Sequence, residues 1–577
     1  MTNTLDPATW PADEVEPFFE PGASLRSLEP AAGSWPTAMV IGSTGPFAQY
    51  AGRRALQAGG SAVDAAIVTS LTQIALAAGS WVSYAGMTSI VYFDAATGQT
   101  HSLSGPFRAF LEEDDPLSIP PSPQPSGRTA MVPGYPAAIA AAHERFGRLA
   151  WAELCAPAIY VAERGFPLIH GQDGMFQLKE SLLKRTPEGR EFLGSDAVPA
   201  AGEVFRQPAL ARTLRAIADD GVDHVYRGPW AQKFVEVVRR EGGRATLADL
   251  ERYEVIWDDP LVTTVNGHEV HAVNAGNFGG AVLLEGLNLL EEGGVGDWRT
   301  DGDALYWLCQ VARQSGAVNQ VDPQRRVTKQ WARTVWEQMS RAGAAVPPGE
   351  ALVGSHSDYV ACADEQGNVL AMTHTINTGI WGQTGIFVDG VSVPDAGGAQ
   401  KEAMLHAGPG GAIPNPMNPA IVLRDGKPVL ASSSIGSGLP VTTLQCVASV
   451  LLHGATVAEA AAQPLAHGID ALGKRPTNTL TEVASSSRSA LEGSDEPTPQ
   501  LPDDLAELFG PFALTGMFWY RLGSTPMSPT VASIAAAYDR VAQIVEDGFD
   551  DAVLDQARQR GVKLDVRPRE EPTIPRG

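Results

Sequence analysis

The sequence predicts a layered α/β fold with antiparallel sheets, and three observations carry that expectation. Short apolar, β-favouring runs come in pairs around tight-turn signals, as in "PLVTTVNGHEVHAVN" and "PAIVLRDGKPVLASSS". Long stretches of helical periodicity separate these pairs, and several stop at a glycine, as helix C-termini favour. Strand pairs set between blocks of helix bury their apolar faces by stacking in layers.

Residues 1–36 carry prolines and acids without periodicity and read as an irregular arm laid over the body. The run "AMVIGST" at 38–44 reads as a strand, followed by two helices split at Gly59-Gly60. In the second helix Val63, Ala66, Ile67, Ser70, Leu71 and Ile74 share a face, so burial on one side is expected, and Ser61 with Asp64 makes a capping box. "TSIVYFDAATGQTHSL" reads as a hairpin turning at Ala96 to Gly98, and "SIPPSPQPSG" as an exposed loop. From 130 to 260 the pattern is mainly helical, in "PAAIAAAHERFG", "AWAELCAPAIYVAERG", "RQPALARTLRAIADDG" and "WAQKFVEVVRREGG". A hairpin at Asn266-Gly267 follows, then helices in "GGAVLLEGLNLLEEGG" and "GDALYWLCQVARQSGAV". "SDYVACADEQGNVLAMTHTI" reads as two apolar strands around "DEQGN"; a hairpin tipped by "DGK" and the helical "TTLQCVASVLLHGATVAEAAAQPL" come next. Residues 473–503, rich in Ser, Thr, Pro and acids, are expected to form a mobile insertion.

Of the 577 residues, 44% are apolar and 19% charged, the balance of a globular chain with a large core. A formal net charge of −24 without any basic run argues against nucleic acid and against an anionic membrane surface as partners. The acidic, proline-broken start "MTNTLDPATWPADEVEPFFE" lacks a basic-then-apolar leader pattern, which predicts cytoplasmic residence, and no apolar run is long enough to span a bilayer. Cys155, Cys309, Cys362 and Cys446 are far apart with no C-x-x-C pair, so buried thiols are expected rather than a disulfide frame or a zinc site.

Three glycine or histidine patterns carry no function by themselves. His268 and His271 in "GHEVH" stand three apart on a strand and face opposite sides, unlike a metalloprotease pair. "GPGGAIP" lacks the Gly-Lys-Ser/Thr of a phosphate loop, and "IGSGLP" reads as a strand-to-helix turn or a source of backbone donors.

A larger constellation does carry function. "AGRRALQAGGSAVDAAIVTSL" resembles the γ-glutamyltranspeptidase signature around "GGNAVDAA", with Ser61 in place of Asn. "MVPGYPAAIAAAHERFGRLAWAELCAPAIYVAERGFPL", "VYRGPWAQKFVEVVRREGGRATLADLERYE", "GNFGGAVLLEGLNLLE" and "GSHSDYVACADEQGNVLAMTHTINTGIWG" are similar to further blocks of that family, in the family's order. The resemblance implies the αββα sandwich of N-terminal-nucleophile (Ntn) hydrolases, made as one precursor. The family cuts itself before a Thr-Thr-His sequence seven residues upstream of a strand-ending Asp, and counting back from Asp364 reaches Ser357. It implies cleavage between His356 and Ser357, a large-subunit region 1–356 and a small-subunit region 357–577 headed by the nucleophile. A freed α-amino group, with a pKa near roughly 8, then serves that hydroxyl as base. By the same resemblance Thr375 bonds the nucleophile, Asn377 holds the substrate or the nucleophile's amine, and backbone N–H groups at Ile435-Gly436 form the oxyanion hole. No metal or organic cofactor is implied. The partner is a small-molecule substrate, and further assembly into a homo-oligomer is left open.

The glutamate-binding pattern is where the chain departs. The family's carboxylate-gripping arginine aligns with Pro106, leaving Arg108 as a substitute; its Ser-Ser pair becomes Asn415-Pro416, and its lid becomes "VSVPDAGG" with no matching acid. Since an unpaired buried charge is costly, this predicts a non-glutamyl substrate. A glycine-rich turn is replaced by "GSWVSYAG", whose Trp81 and Tyr84 read either as pocket-lining or as core. A branch of the family in lincomycin-type and pyrrolobenzodiazepine-type antibiotic pathways, without a leader, cleaves a C–C bond in an alkylproline precursor, and the departures resemble that branch. Two rivals stand beside this reading: a genuine γ-glutamyl hydrolase or transferase using Arg108, and an unprocessed homologue acting as a binding protein.

Overall fold

The computed structural model describes residues 4–20, 39–42, 45–120, 124–168, 172–274, 276–316, 321–345, 357–433, 439–469, 543–546, 548–560 and 564–567. Strand β1 (Met39–Gly42) leads into helices α1 (Pro46–Gln57) and α2 (Ala62–Leu76), and a hairpin of β2 (Met87–Asp94) and β3 (Gln99–Gly105) follows. Helices α3 (Tyr135–Phe146), α4 (Trp151–Arg164), α5 (Pro208–Asp220) and α6 (Pro229–Arg240) precede β4 (Ile256–Asp258), β5 (Leu261–Val265) and β6 (His268–Ala272). Helices α7 (Gly279–Glu292), α8 (Gly302–Gly316) and α9 (Lys329–Ala342) come before β7 (Ser357–Ala363) and β8 (Val369–Thr375). The hairpin β9 (Ala420–Arg424) and β10 (Lys427–Ser432) then enters helix α10 (Leu439–His453).

Two antiparallel sheets result, one in the order β1-β7-β8-β2-β3-β4 and one in the order β10-β9-β6-β5. Side-chain alternation divides each strand between two cores. Val91, Phe93, Val369 and Ala371 of the first sheet pack against Ile421 and Leu423 of the second. On the other face Ile90, Tyr92, Leu370 and Met372 bury against α2 and α3, while Val270, Ala420 and Val422 of the second sheet bury against α7 and α10. The order of layers is helix, sheet, sheet, helix.

Helix α2 differs from its expectation. Every residue from Ala62 to Leu76 is buried, because α2 has β7 and β8 on one side and α1, α3 and α4 on the others. A helix enclosed on all sides needs no polar face, and its Ser, Thr and Gln side chains bond to protein instead. Its start is the capping box read from the sequence: Ser61 Oγ accepts from the Asp64 amide and Asp64 Oδ2 accepts from the Ser61 amide.

Asp364, at the end of β7, ties this helix to the β7–β8 hairpin. Its buried carboxylate accepts from the backbone amides of Ala62 (3.1 Å), Gln366 (3.0 Å) and Asn368 (3.1 Å) and from Asn368 Nδ2 (2.8 Å). Residues 4–20 form short helical turns whose Trp10 and Phe19 rings pack at an angle against Phe47 of α1. The four cysteines are buried and unbridged. Residues 473–503 lie outside the described residues.

Candidate active site

Ser357 opens β7 and Thr375 closes β8, and the register makes them direct partners. Such partners have Cα atoms about 4.5–5.5 Å apart and side chains on one face. That face is the one between the sheets, since Val369 and Ala371 on the same side of β8 belong to the inter-sheet core. Ser357 and Thr375 are both buried. On the far side of β8, Thr375 pairs with Met87 at the start of β2, so strand ends and strand starts converge at one end of the sheet.

The chain leaving β8 is held in a constrained conformation. Asn377 has φ +52° and its amide donates to Thr375 Oγ1 at 2.9 Å. Among the described non-glycine residues with positive φ, Asn266, Asp389 and Asp425 each precede a glycine in a tight turn, where that conformation is routine. Ala78 and Trp381 also precede a glycine, whereas Asn377 does not, and all three gather at this end of the sheet. The Ile376 amide donates to Trp81 O (3.3 Å), the Trp381 amide to Ser80 O (2.8 Å) and the Trp381 indole to Ala78 O (3.0 Å), lacing the 78–81 turn to the 376–381 loop. Local strain of this kind concentrates where function over-determines geometry. Gly86 adds a close approach: a Cβ there would stand 2.7 Å from Thr375 O and 2.8 Å from Ser83 O.

A polar row runs across the inter-sheet face beside these residues. Thr373 Oγ1 bonds Ser433 Oγ, and Asn277 links Ser89 Oγ (3.1 Å) to Ser104 Oγ (3.1 Å). Asn415 joins it through a bridge to Asn277; it is 1% exposed, and among the described residues its Nδ2 has no hydrogen-bond partner. An unmet buried donor costs about 1–3 kcal/mol.

The remaining expectations fall as follows. His356, Ile435 and Gly436 lie outside the described residues, although Ser433, which bonds Thr373, is one residue before the segment holding the last two. Trp81 lies behind the sheet rather than on the inter-sheet face: its indole N–H donates to Asp358 Oδ2 at 3.1 Å on the helix side of β7. Tyr84 does not join it: its hydroxyl donates to Leu71 O (2.6 Å) in the helix layer, and burial pushes its pKa well up. Pro106 O accepts from Tyr253 (2.7 Å), and the Arg108 guanidinium lies over the Tyr253 ring and donates to Glu254 O (3.0 Å), its buried Nε without a partner among the described residues.

Three residues were missed at the sequence level. Asp395 lies inside "VSVPDAGG" and is buried beside the 376–383 loop, accepting from Thr378 Oγ1 (2.8 Å) and the Gln383 amide (2.8 Å). Lys179 donates to Gly382 O (2.9 Å), and burial pushes its ammonium down to about 8. His374, opposite Asp358 on β8, donates from Nε2 to Gln73 Oε1 (2.9 Å), and burial pushes it down to about 3, so it stays neutral. Only the spacing "THT" around His374 hinted at any of them.

The chain matches the family model for gamma-glutamyltranspeptidase over residues 48–479. It is 26% identical over 464 residues to the glutathione hydrolase proenzyme of Pseudomonas sp. (strain A14), covering 73% of this chain and 80% of that one. It is 28% identical over 476 residues to the acylase ACY 1 proenzyme of Pseudomonas sp. (strain SE83), covering 76% and 83%. Its fold is similar to that of a cephalosporin acylase from Bacillus halodurans, with a TM-score of 0.68 at 19% identity over 94% of this chain and 92% of that one. Among the described residues, no helix is long and apolar enough to cross a membrane. With its sandwich the Ntn-hydrolase fold, the chain belongs to the gamma-glutamyltranspeptidase family of hydrolases and transferases.

Proposed function

We propose that the chain cuts itself between His356 and Ser357, and that the freed Ser357 is the nucleophile of an acyl-transfer hydrolase acting on a small non-glutamyl substrate. The observation that carries this reading is the pairing of Ser357 with Thr375 at the inter-sheet end, with the Asn377 amide on Thr375 Oγ1. In the first step Ser357 Oγ attacks the His356 carbonyl carbon; the C–N bond breaks, the hydroxyl proton passes to the Ser357 nitrogen, and an ester forms. Water hydrolyses that ester, leaving the His356 carboxylate and a free Ser357 amine and hydroxyl. The amine then serves as base for attack on a substrate carbonyl, the leaving group takes the proton, and water releases the acid. Thr375 orients the nucleophile, Asn377 holds its amine or the substrate, and backbone donors at Ile435-Gly436 receive the oxyanion.

The substrate class follows from the departures. Pro106 stands where the family's arginine does, Arg108 is engaged with Glu254 O, and Asp395 is occupied by protein donors. Asn415 offers one neutral donor to a carbonyl or carboxylate oxygen. An amide or a C–C bond beside a carbonyl both fit, the second needing a leaving carbon able to accept a proton as an enamine-like fragment. Alkylproline precursors of the antibiotic-pathway type are the first candidates, and cytoplasmic residence belongs to the same reading. A second reading, γ-glutamyl hydrolysis, is favoured by the unpartnered Arg108 Nε. Purified protein assayed on γ-glutamyl p-nitroanilide, N-acyl p-nitroanilides and an alkylproline precursor separates the two. Turnover restricted to the γ-glutamyl compound and lost with Arg108→Ala would select the second.

A further inference from the structure

Two departures from the resembled pattern, 277 residues apart in sequence, meet in space. Asp358 stands directly after the nucleophile, where the family carries threonine, and Trp81 stands in the turn that the family fills with glycines. The Trp81 indole N–H donates to Asp358 Oδ2 at 3.1 Å, with Asp358 0% and Trp81 4% exposed. A hydrogen bond to a carboxylate withdrawn from water is stronger than a neutral one. Trp81 also accepts from the Ile376 amide through its own carbonyl, one residue past Thr375. It therefore touches both central strands where Ser357 and Thr375 pair.

Alternation along β7 turns Asp358 toward the helices and Ser357 toward the inter-sheet face. The next residue is also held from the helix side: Gln73 Nε2 donates to Tyr359 O (3.4 Å) while Gln73 Oε1 receives the His374 N–H. Securing residues 358 and 359 from behind fixes the peptide frame from which Ser357 projects. We propose that Trp81 is a positioning residue for Ser357, acting through Asp358, and that the indole–carboxylate pair replaces the family's glycine turn and threonine as one unit. This rests on the reading of Ser357 as nucleophile.

The test is the self-cleavage rate of freshly synthesised full chain, which needs no substrate, measured for wild type, Trp81→Phe, Asp358→Leu, Asp358→Asn and the Trp81→Phe/Asp358→Leu double variant. Loss of one charge-assisted bond and a sub-ångström displacement of the nucleophile are expected to slow cleavage about 10- to 100-fold in Trp81→Phe and in Asp358→Leu. The double variant is expected to be no slower than the slower single. Asp358→Asn keeps an acceptor oxygen and is expected to cleave at least about tenfold faster than Asp358→Leu, a rescue that a merely space-filling role does not produce. Melting temperatures in a Ser357→Ala background separate misfolding from misplacement. Trp81→Phe cleaving at the wild-type rate, or a double variant showing the product of the two single effects, overturns the proposal. A wild-type chain that never cleaves overturns it together with the nucleophile reading, whereas a cleaving wild type beside an unaffected Trp81→Phe overturns it alone.

Discussion

Asp364→Ala is expected to destabilise the chain by about 2–7 kcal/mol, and the structure supplies the terms. The carboxylate accepts from four N–H groups, of which those of Ala62 and Asn368 are buried. Removing it leaves two enclosed backbone donors without a partner, at about 1–3 kcal/mol each. The Gln366 amide is at the exposed hairpin tip and turns to water at little cost. The Ala62 amide belongs to the first turn of α2, so the same change also withdraws a negative charge from that helix N-terminus, about 0.3–1 kcal/mol more. The assay is urea unfolding followed by tryptophan fluorescence, in a Ser357→Ala background so that one covalent chain unfolds. A loss below about 1 kcal/mol would refute the claim that Asp364 joins helix and hairpin.

Three further outcomes follow from the site. Thr375→Val leaves the Asn377 amide without its acceptor and is expected to slow self-cleavage about 10- to 100-fold, with Thr375→Ser recovering most of the rate; equal rates in Val and Ser would count against the role of Oγ1. Gly86→Ala puts a methyl 2.7 Å from Thr375 O and is expected to cost about 1–3 kcal/mol and to slow cleavage comparably, read by the same unfolding and rate assays. His374, held down to about 3 by burial, stays neutral in the fold while the unfolded chain takes up a proton below its usual 6.5. Stability is therefore fully present above about pH 6.5 and lost as pH falls from there toward 3, by about 2 kcal/mol at pH 5. His374→Gln is expected to remove that part of the acid slope.

What could be read from the sequence was local. The Ser61–Asp64 box, the Asn266-Gly267 turn and the "DEQGN" hairpin depend on residues within a few positions of one another, and each is found as read. Counting between Asp364 and "THTIN" also fixed the register that pairs Ser357 with Thr375, because an ungapped hairpin leaves one alignment of its strands. The full burial of α2 was not legible, since the second cover of helices comes from sequence on either side that shows no sign of it. Helix α9 escaped notice because only Ala332, Val335 and Met339 bury among polar and aromatic residues. Asp395 was passed over because alignment judges an acid by its column, whereas the fold brings its carboxylate to Thr378 regardless. Trp81 was seen as a change, and only the tertiary fold joins it to Asp358.

Everything said of the site rests on the cut that frees Ser357. Intact mass under denaturing conditions, with N-terminal sequencing of any fragment, tests it on the protein as made and on Ser357→Ala. Two species meeting between His356 and Ser357 are expected in the first and one full-length species in the second. A single uncut mass in the wild type after prolonged incubation, or an unchanged cut in Ser357→Ala, would contradict it.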